Sequence, residues 1–114
     1  MNKIWYLYMV RCSSGALYTG ITTNIENRVA MHNNRRGAKS VIALGLPVEL
    51  VYHRKVGSYS EALREEIRFK AFSKKEKEAV VREYKATWDL VSSIGDSFDE
   101  PRVLKRKRRS ISVR

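Results

Sequence analysis

The sequence predicts an α+β domain: a small, three-stranded, mostly antiparallel sheet flanked by helices in the order β-β-α-β-α-α. Two observations carry this. Three stretches rich in aromatic and β-branched residues, 4–10, 16–21 and 48–56, read as strands bounded by turn residues. Thr23, Ser58 and Ser73 are each followed three positions later by a glutamate, the capping pattern that opens a helix.

The first two strands are joined by Ser13, Ser14 and Gly15 and form a β-hairpin. Side chains alternate along a strand, so Trp5, Leu7 and Met9 take one face and Tyr6, Tyr8 and Val10 the other. One face is expected to be core and the other to carry the phenols. Thr23-Asn24-Ile25-Glu26 then opens a helix with Ile25, Val29 and His32 on one side and Arg28 one turn before His32. Tyr8, Tyr18, Arg28 and His32 are thereby expected at one place. Asn33, Asn34 and Gly37 end that helix, and Arg35, Arg36 and Lys39 lie in the loop that follows, where they are candidates to contact phosphate. The stretch 48–56 gives the third strand, and His53 within it is read as a half-buried packing residue.

A second helix runs from Ser58 to about Phe72, with Ala62, Leu63, Ile67 and Phe69 on its apolar side. Glu66 falls on that stripe and Glu65 does not. A carboxylate facing the core requires a cation, either a base such as Arg28 or a metal, because an unpaired buried charge is costly. A third helix runs from Ser73 to about Val91, with Ala79, Val80, Tyr84, Thr87 and Trp88 at helical intervals. Lys74, Lys75 and Lys77 crowd its N-terminus, against the helix dipole.

The chain divides into a folded domain, 1–95, and a C-terminal tail, 96–114. The tail holds Lys105-Arg106-Lys107-Arg108-Arg109 and is too polar to bury a core, so it is expected to be disordered. The whole chain carries +11 at pH 7; through residue 95 there are 16 bases against 9 acids, so the domain is basic without its tail. Such a domain calls for an anionic partner, and nucleic acid is the usual one. One cysteine, Cys12, excludes an internal disulfide and a cysteine-based zinc site, and is read as a buried filler at a strand end. No apolar run approaches membrane-spanning length, and the N-terminus leads directly into a strand, so a cytoplasmic protein with no membrane partner is expected. No phosphate-binding glycine loop or dinucleotide fingerprint is present, and no small-molecule cofactor is expected.

Tyr6-Leu7-Tyr8, Tyr18-Thr19-Gly20 and the spacing to Arg28 resemble the motif core of the GIY-YIG nuclease family. The likeness runs from about residue 3 to 80, and is stronger to its small single-domain bacterial branch, whose strand-helix junction is similar to Tyr18-Thr19-Gly20-Ile21-Thr22-Thr23. Tyr6 stands where the family has its leading glycine, so of the first tripeptide only Tyr8 is carried over. The resemblance implies a divalent-metal-dependent endonuclease hydrolysing phosphodiester bonds, acting on DNA in branched, damaged or single-stranded form. It implies Glu66 as the ligand of one Mg2+ or Mn2+ ion. Tyr8 would orient or deprotonate the attacking water, Tyr18 position the phosphate or share that duty, Arg28 neutralise its growing charge and His32 donate or relay a proton. Gly20 would leave room for the backbone to approach the phosphate. A phenol with an ordinary pKa of about 10 is a poor base at neutral pH, and Arg28 beside a metal is expected to lower it. A nucleic-acid-binding module that cleaves slowly or not at all is the alternative, RNA is a third possibility, and a monomer is the favoured state.

Overall fold

The computed structural model describes residues 3–94, with the side chains described through Leu90. Three strands, β1 (Trp5–Arg11), β2 (Leu17–Thr22) and β3 (Glu49–Gly57), form one sheet. Four helices complete the domain: α1 (Ile25–Asn33), α2 (Lys39–Leu44), α3 (Tyr59–Lys70) and α4 (Lys74–Ile94). The strand order is β2-β1-β3 and both pairings are antiparallel, so the predicted α+β class and the hairpin are found.

One face of β1 is core and the other carries the phenols, as expected, but the phenol face is core as well. β1 is the central strand and both its faces are buried. Tyr8 and Val10 join Ile25 and Val29 of α1, Val41 of α2, and Cys12, Val48 and Leu50 in one apolar cluster. Leu7 and Met9 join Tyr52, Phe69 of α3 and Val81 of α4 in the other. The helices before β3, α1 and α2, cover one face and those after it, α3 and α4, cover the other. Cys12 is buried at the end of the hairpin strand, as its position suggested.

The helix starts obey local hydrogen bonding, with one shift. Ser58 and Glu61 form a reciprocal capping box at α3, and Ser73 and Glu76 exchange the same two bonds at α4. At α1 the box at Thr23 does not form: the helix begins one residue later, and Asn24 Oδ1 accepts from the Asn27 amide at 3.0 Å. α2 was expected to be loop. Its N-cap is Ala38, which makes no side-chain cap bond, and burial of Val41 holds the single short helix instead.

Two of the residues assigned to the apolar side of α3 are exposed: Leu63 at 36% and Ile67 at 63%. The buried positions are Ala62 and Phe69, so the buried stripe is narrower than the sequence suggested. Its flank is secured by ions. Glu65 binds Arg54 of β3 at 2.5 Å and Arg68 at 2.8 Å, and both guanidinium groups lie over the Phe69 ring. In α4, Val80, Val81 and Tyr84 face the sheet, Trp88 stacks on His53, and Thr87 is exposed and donates to the Glu83 carbonyl. His53 packs between Tyr84 and Trp88, as its half-buried reading required. The basic tail, 96–114, lies outside the described residues.

Candidate active site at the edge of the sheet

Tyr8 sits in the middle of the central strand opposite Gly20 of the edge strand β2. Its ring lies across β2 at that position: a Cβ on Gly20 would come within 2.6 Å of the Tyr8 hydroxyl. Gly20 was expected to leave room for phosphate at a strand-helix junction; it lies within β2, and the space it leaves is taken by the phenol. No real Cβ contact is that short, so only glycine admits this ring position.

Burial of Ile25 and Val29 turns the same face of α1 inward at His32, which is wholly buried. His32 Nε2 is 2.8 Å from the Tyr8 hydroxyl, and the edge of one ring meets the face of the other between Tyr18 and His32 at 5.6 Å. Arg28 precedes His32 by one turn, and its charge acts on both Tyr8 and His32. From the other layer, α3 brings Glu66 close enough for its charge to act on Tyr8. Glu66 is paired with Lys70 at 3.4 Å, and the Lys70 ammonium stands 5.7 Å over the Tyr18 ring. His32 thus contacts Tyr8 and Tyr18, and the charges of Arg28 and Glu66 act on Tyr8.

The electrostatics depart from expectation. Burial pushes the Tyr8 phenol up to about 12; Arg28 opposes this and Tyr18 and Glu66 reinforce it. The predicted lowering by Arg28 has the right sign but is outweighed by desolvation. Burial, with Arg28 adding to it, pushes His32 down to about 4. At neutral pH the phenol keeps its proton and the imidazole is neutral. Donation from phenol to Nε2, or the reverse, satisfies the contact. His32 Nδ1 is buried without a hydrogen-bond partner. It is covered by the chain at Gly37, where a Cβ would fall 2.1 Å from it.

That loop also carries the predicted phosphate contacts. Arg35, in the left-handed region at φ 61°, turns the chain out of α1, and the Arg36 amide donates to the Met31 carbonyl. Arg35, Arg36 and Lys39 are exposed, and among the described residues no hydrogen bond or ion pair engages their side chains. Lys39 begins α2. Lys70 was not singled out in the sequence, and Gly37 was read only as ending α1. The four-residue spacing of Glu66 and Lys70 was the available signal for the first; the second shows only once the loop is seen against the His32 ring.

Glu66 is the residue that the resemblance implies as a metal ligand, and it brings one carboxylate to the site. Among the described residues no group of three or more His, Cys, Asp or Glu side chains is arranged around a common point. A single carboxylate fits magnesium, which keeps several waters and takes substrate phosphate oxygens. It does not fit a metal needing a complete protein cage.

The comparisons with known proteins identify a domain of a nuclease family. Residues 4–84 match the family described as the GIY-YIG catalytic domain. The chain belongs to that family. Within it, the chain is 46% identical over 77 residues to a UPF0213 protein of Cronobacter sakazakii, covering 68% of this chain and 80% of that one. It is 42% identical over 90 residues to the UPF0213 protein YhbQ of Salmonella arizonae, covering 79% and 89%. The solution NMR structure of the UPF0213 protein BH0048 from Bacillus halodurans is 34% identical, with a TM-score of 0.46 over 69% of this chain and 83% of that chain. No helix among the described residues is long and apolar enough to cross a membrane.

Proposed function

We propose that the protein is a divalent-metal-dependent endonuclease that hydrolyses phosphodiester bonds in DNA, with branched, damaged or single-stranded DNA as its substrate class. The observation that carries this is the contact of His32 with the Tyr8 hydroxyl and the Tyr18 ring, with the charges of Arg28 and Glu66 acting on Tyr8. So small a domain has little surface for reading a long sequence, which favours recognition of DNA shape. Its basic charge suits the phosphate backbone.

Tyr8 accepts the proton of the attacking water and passes its own to His32 Nε2, so one proton moves along the existing 2.8 Å contact. The imidazolium that forms is disfavoured beside Arg28. The scissile phosphate offsets both positive charges, which couples proton transfer to substrate binding. Tyr18 orients that phosphate, and Arg28 stabilises the extra negative charge of the transition state. A magnesium or manganese ion on Glu66, when bound, supplies Lewis-acid stabilisation of the phosphate and the leaving oxygen. Arg35, Arg36 and Lys39 hold flanking phosphates.

A second reading is a nucleic-acid-binding module that cleaves slowly or not at all. What favours it is burial, which pushes the Tyr8 phenol up to about 12, so that it can take a proton from water only by passing its own to His32. Magnesium-dependent nicking of supercoiled plasmid and of a synthetic junction separates the two. Loss of nicking in Glu66→Ala and Arg28→Ala, with Glu65→Ala retaining it, supports the nuclease. Binding without cutting in the unsubstituted protein, whatever the divalent ion, favours the module.

A further inference from the structure

Glu65 and Glu66 are neighbours on α3 held by cations of different kinds. Glu65 is gripped by two arginines, Arg54 and Arg68, whose planar groups give strong, directional bonds. Glu66 is the less exposed of the two, with its side chain at 17%, yet its ion-pair partner among the described residues is one lysine at 3.4 Å. That lysine is half exposed and lies on a flexible stem. An ammonium held this way is readily displaced, because a half-exposed lysine at 3.4 Å makes a weak pair.

In the same position Lys70 has a second partner. Its ammonium already stands over the Tyr18 ring, at the margin of the site, where a cation is held by the ring's negative face. We infer that Lys70 is a resident, displaceable counter-ion of Glu66, and that its ammonium serves as a phosphate-binding group once a divalent cation takes the carboxylate. This rests on the reading of Glu66 as a metal ligand. Without metal or DNA, Lys70 satisfies a half-buried charge that would otherwise be costly. With both present, it stays beside Tyr18 and neutralises phosphate, so metal loading and substrate binding reinforce each other.

The test is a titration of the metal alone, followed by luminescence of terbium excited through the tyrosines and by competition with magnesium, on the whole chain without DNA. Lys70→Met keeps the stem and removes the charge. It should tighten terbium and magnesium binding by about two- to fivefold, the size set by an exposed ion pair. Lys70→Arg should leave binding unchanged or weaken it, and Glu66→Gln should abolish the site. In DNA binding at saturating magnesium, Lys70→Met should lower the salt dependence by about one counter-ion. Metal affinity that is unchanged or weaker in Lys70→Met overturns the inference while leaving Glu66 as the ligand. Equal terbium affinity in Glu66→Gln and the unsubstituted protein overturns the reading of Glu66, and the inference with it. A salt dependence equal to that of the unsubstituted protein removes the phosphate role.

Discussion

The Tyr8 hydroxyl and His32 Nε2, 24 residues apart in sequence, meet at 2.8 Å in the interior of the domain. Strand β1 and helix α1 are each fixed by apolar neighbours, Val10 in the one and Ile25 and Val29 in the other, so the contact is imposed by packing. The polar pair is the site where the proposed chemistry and the core coincide.

Tyr8→Phe removes the hydroxyl and keeps the ring. Nicking should fall by at least about a hundredfold, the usual contribution of a positioned proton-transfer group. His32 Nε2 then loses its partner in a buried setting, which should cost about 1–3 kcal/mol in urea unfolding. A folded variant with undiminished nicking would remove Tyr8 from the mechanism.

Gly20→Ala sets a methyl group against the Tyr8 hydroxyl and the adjoining ring carbons. The ring must shift, so the variant should lose the contact with His32 and most of its activity while keeping its sheet. In the double variant with Tyr8→Phe the shortest clash disappears, and the two stability losses should sum to more than the double variant shows. A thermodynamic cycle of urea midpoints measures the coupling. Strict additivity would mean that the ring does not lie across residue 20.

Gly37→Ala acts from the opposite side. Its φ does not lie in the left-handed region, so the substitution is not strained by backbone geometry; it is opposed by the His32 ring 2.1 Å away. Nicking should fall several-fold or more as His32 leaves Tyr8, whereas Ala38→Gly next to it should change little. Equal activity in Gly37→Ala and the parent protein would show that the loop gives way without moving the imidazole.

Much of this arrangement was legible in sequence because it depends on helical spacing. Ile25, Val29 and His32 share a face, and Glu66 lies between Ala62 and Phe69, so each polar group could be placed from its apolar neighbours. What was not legible depends on contacts between elements. Burial of both faces of β1 follows from its central place in the sheet, which alternation along one strand does not reveal. α2 has no capping side chain to announce it. The space at Gly20 is filled by a residue 12 positions away, and the direction of the Tyr8 shift was set by desolvation, which spacing cannot measure.

Acid should unfold the protein through its two histidines. Both are held near 4 by burial, against an ordinary value of 6.5. An imidazole with a depressed folded pKa is protonated more readily in the unfolded chain, so each contributes full stability above pH 6.5 and loses it as pH falls from 6.5 toward 4. The slope of unfolding free energy against pH in that window should reach at most about 1.4 kcal/mol per unit for each histidine. Glu65 and Glu78, both lowered to about 2 by their ion pairs, add losses of the same sign only below their ordinary value of 4.5. His53→Phe keeps an aromatic ring against Tyr84 and Trp88 and removes one titrating group. Urea unfolding at intervals from pH 7 to 4.5 should therefore show about half the slope in His53→Phe, with the remainder belonging to His32. An unchanged slope would place the lost protons elsewhere, and with them the claim that the fold holds both imidazoles neutral.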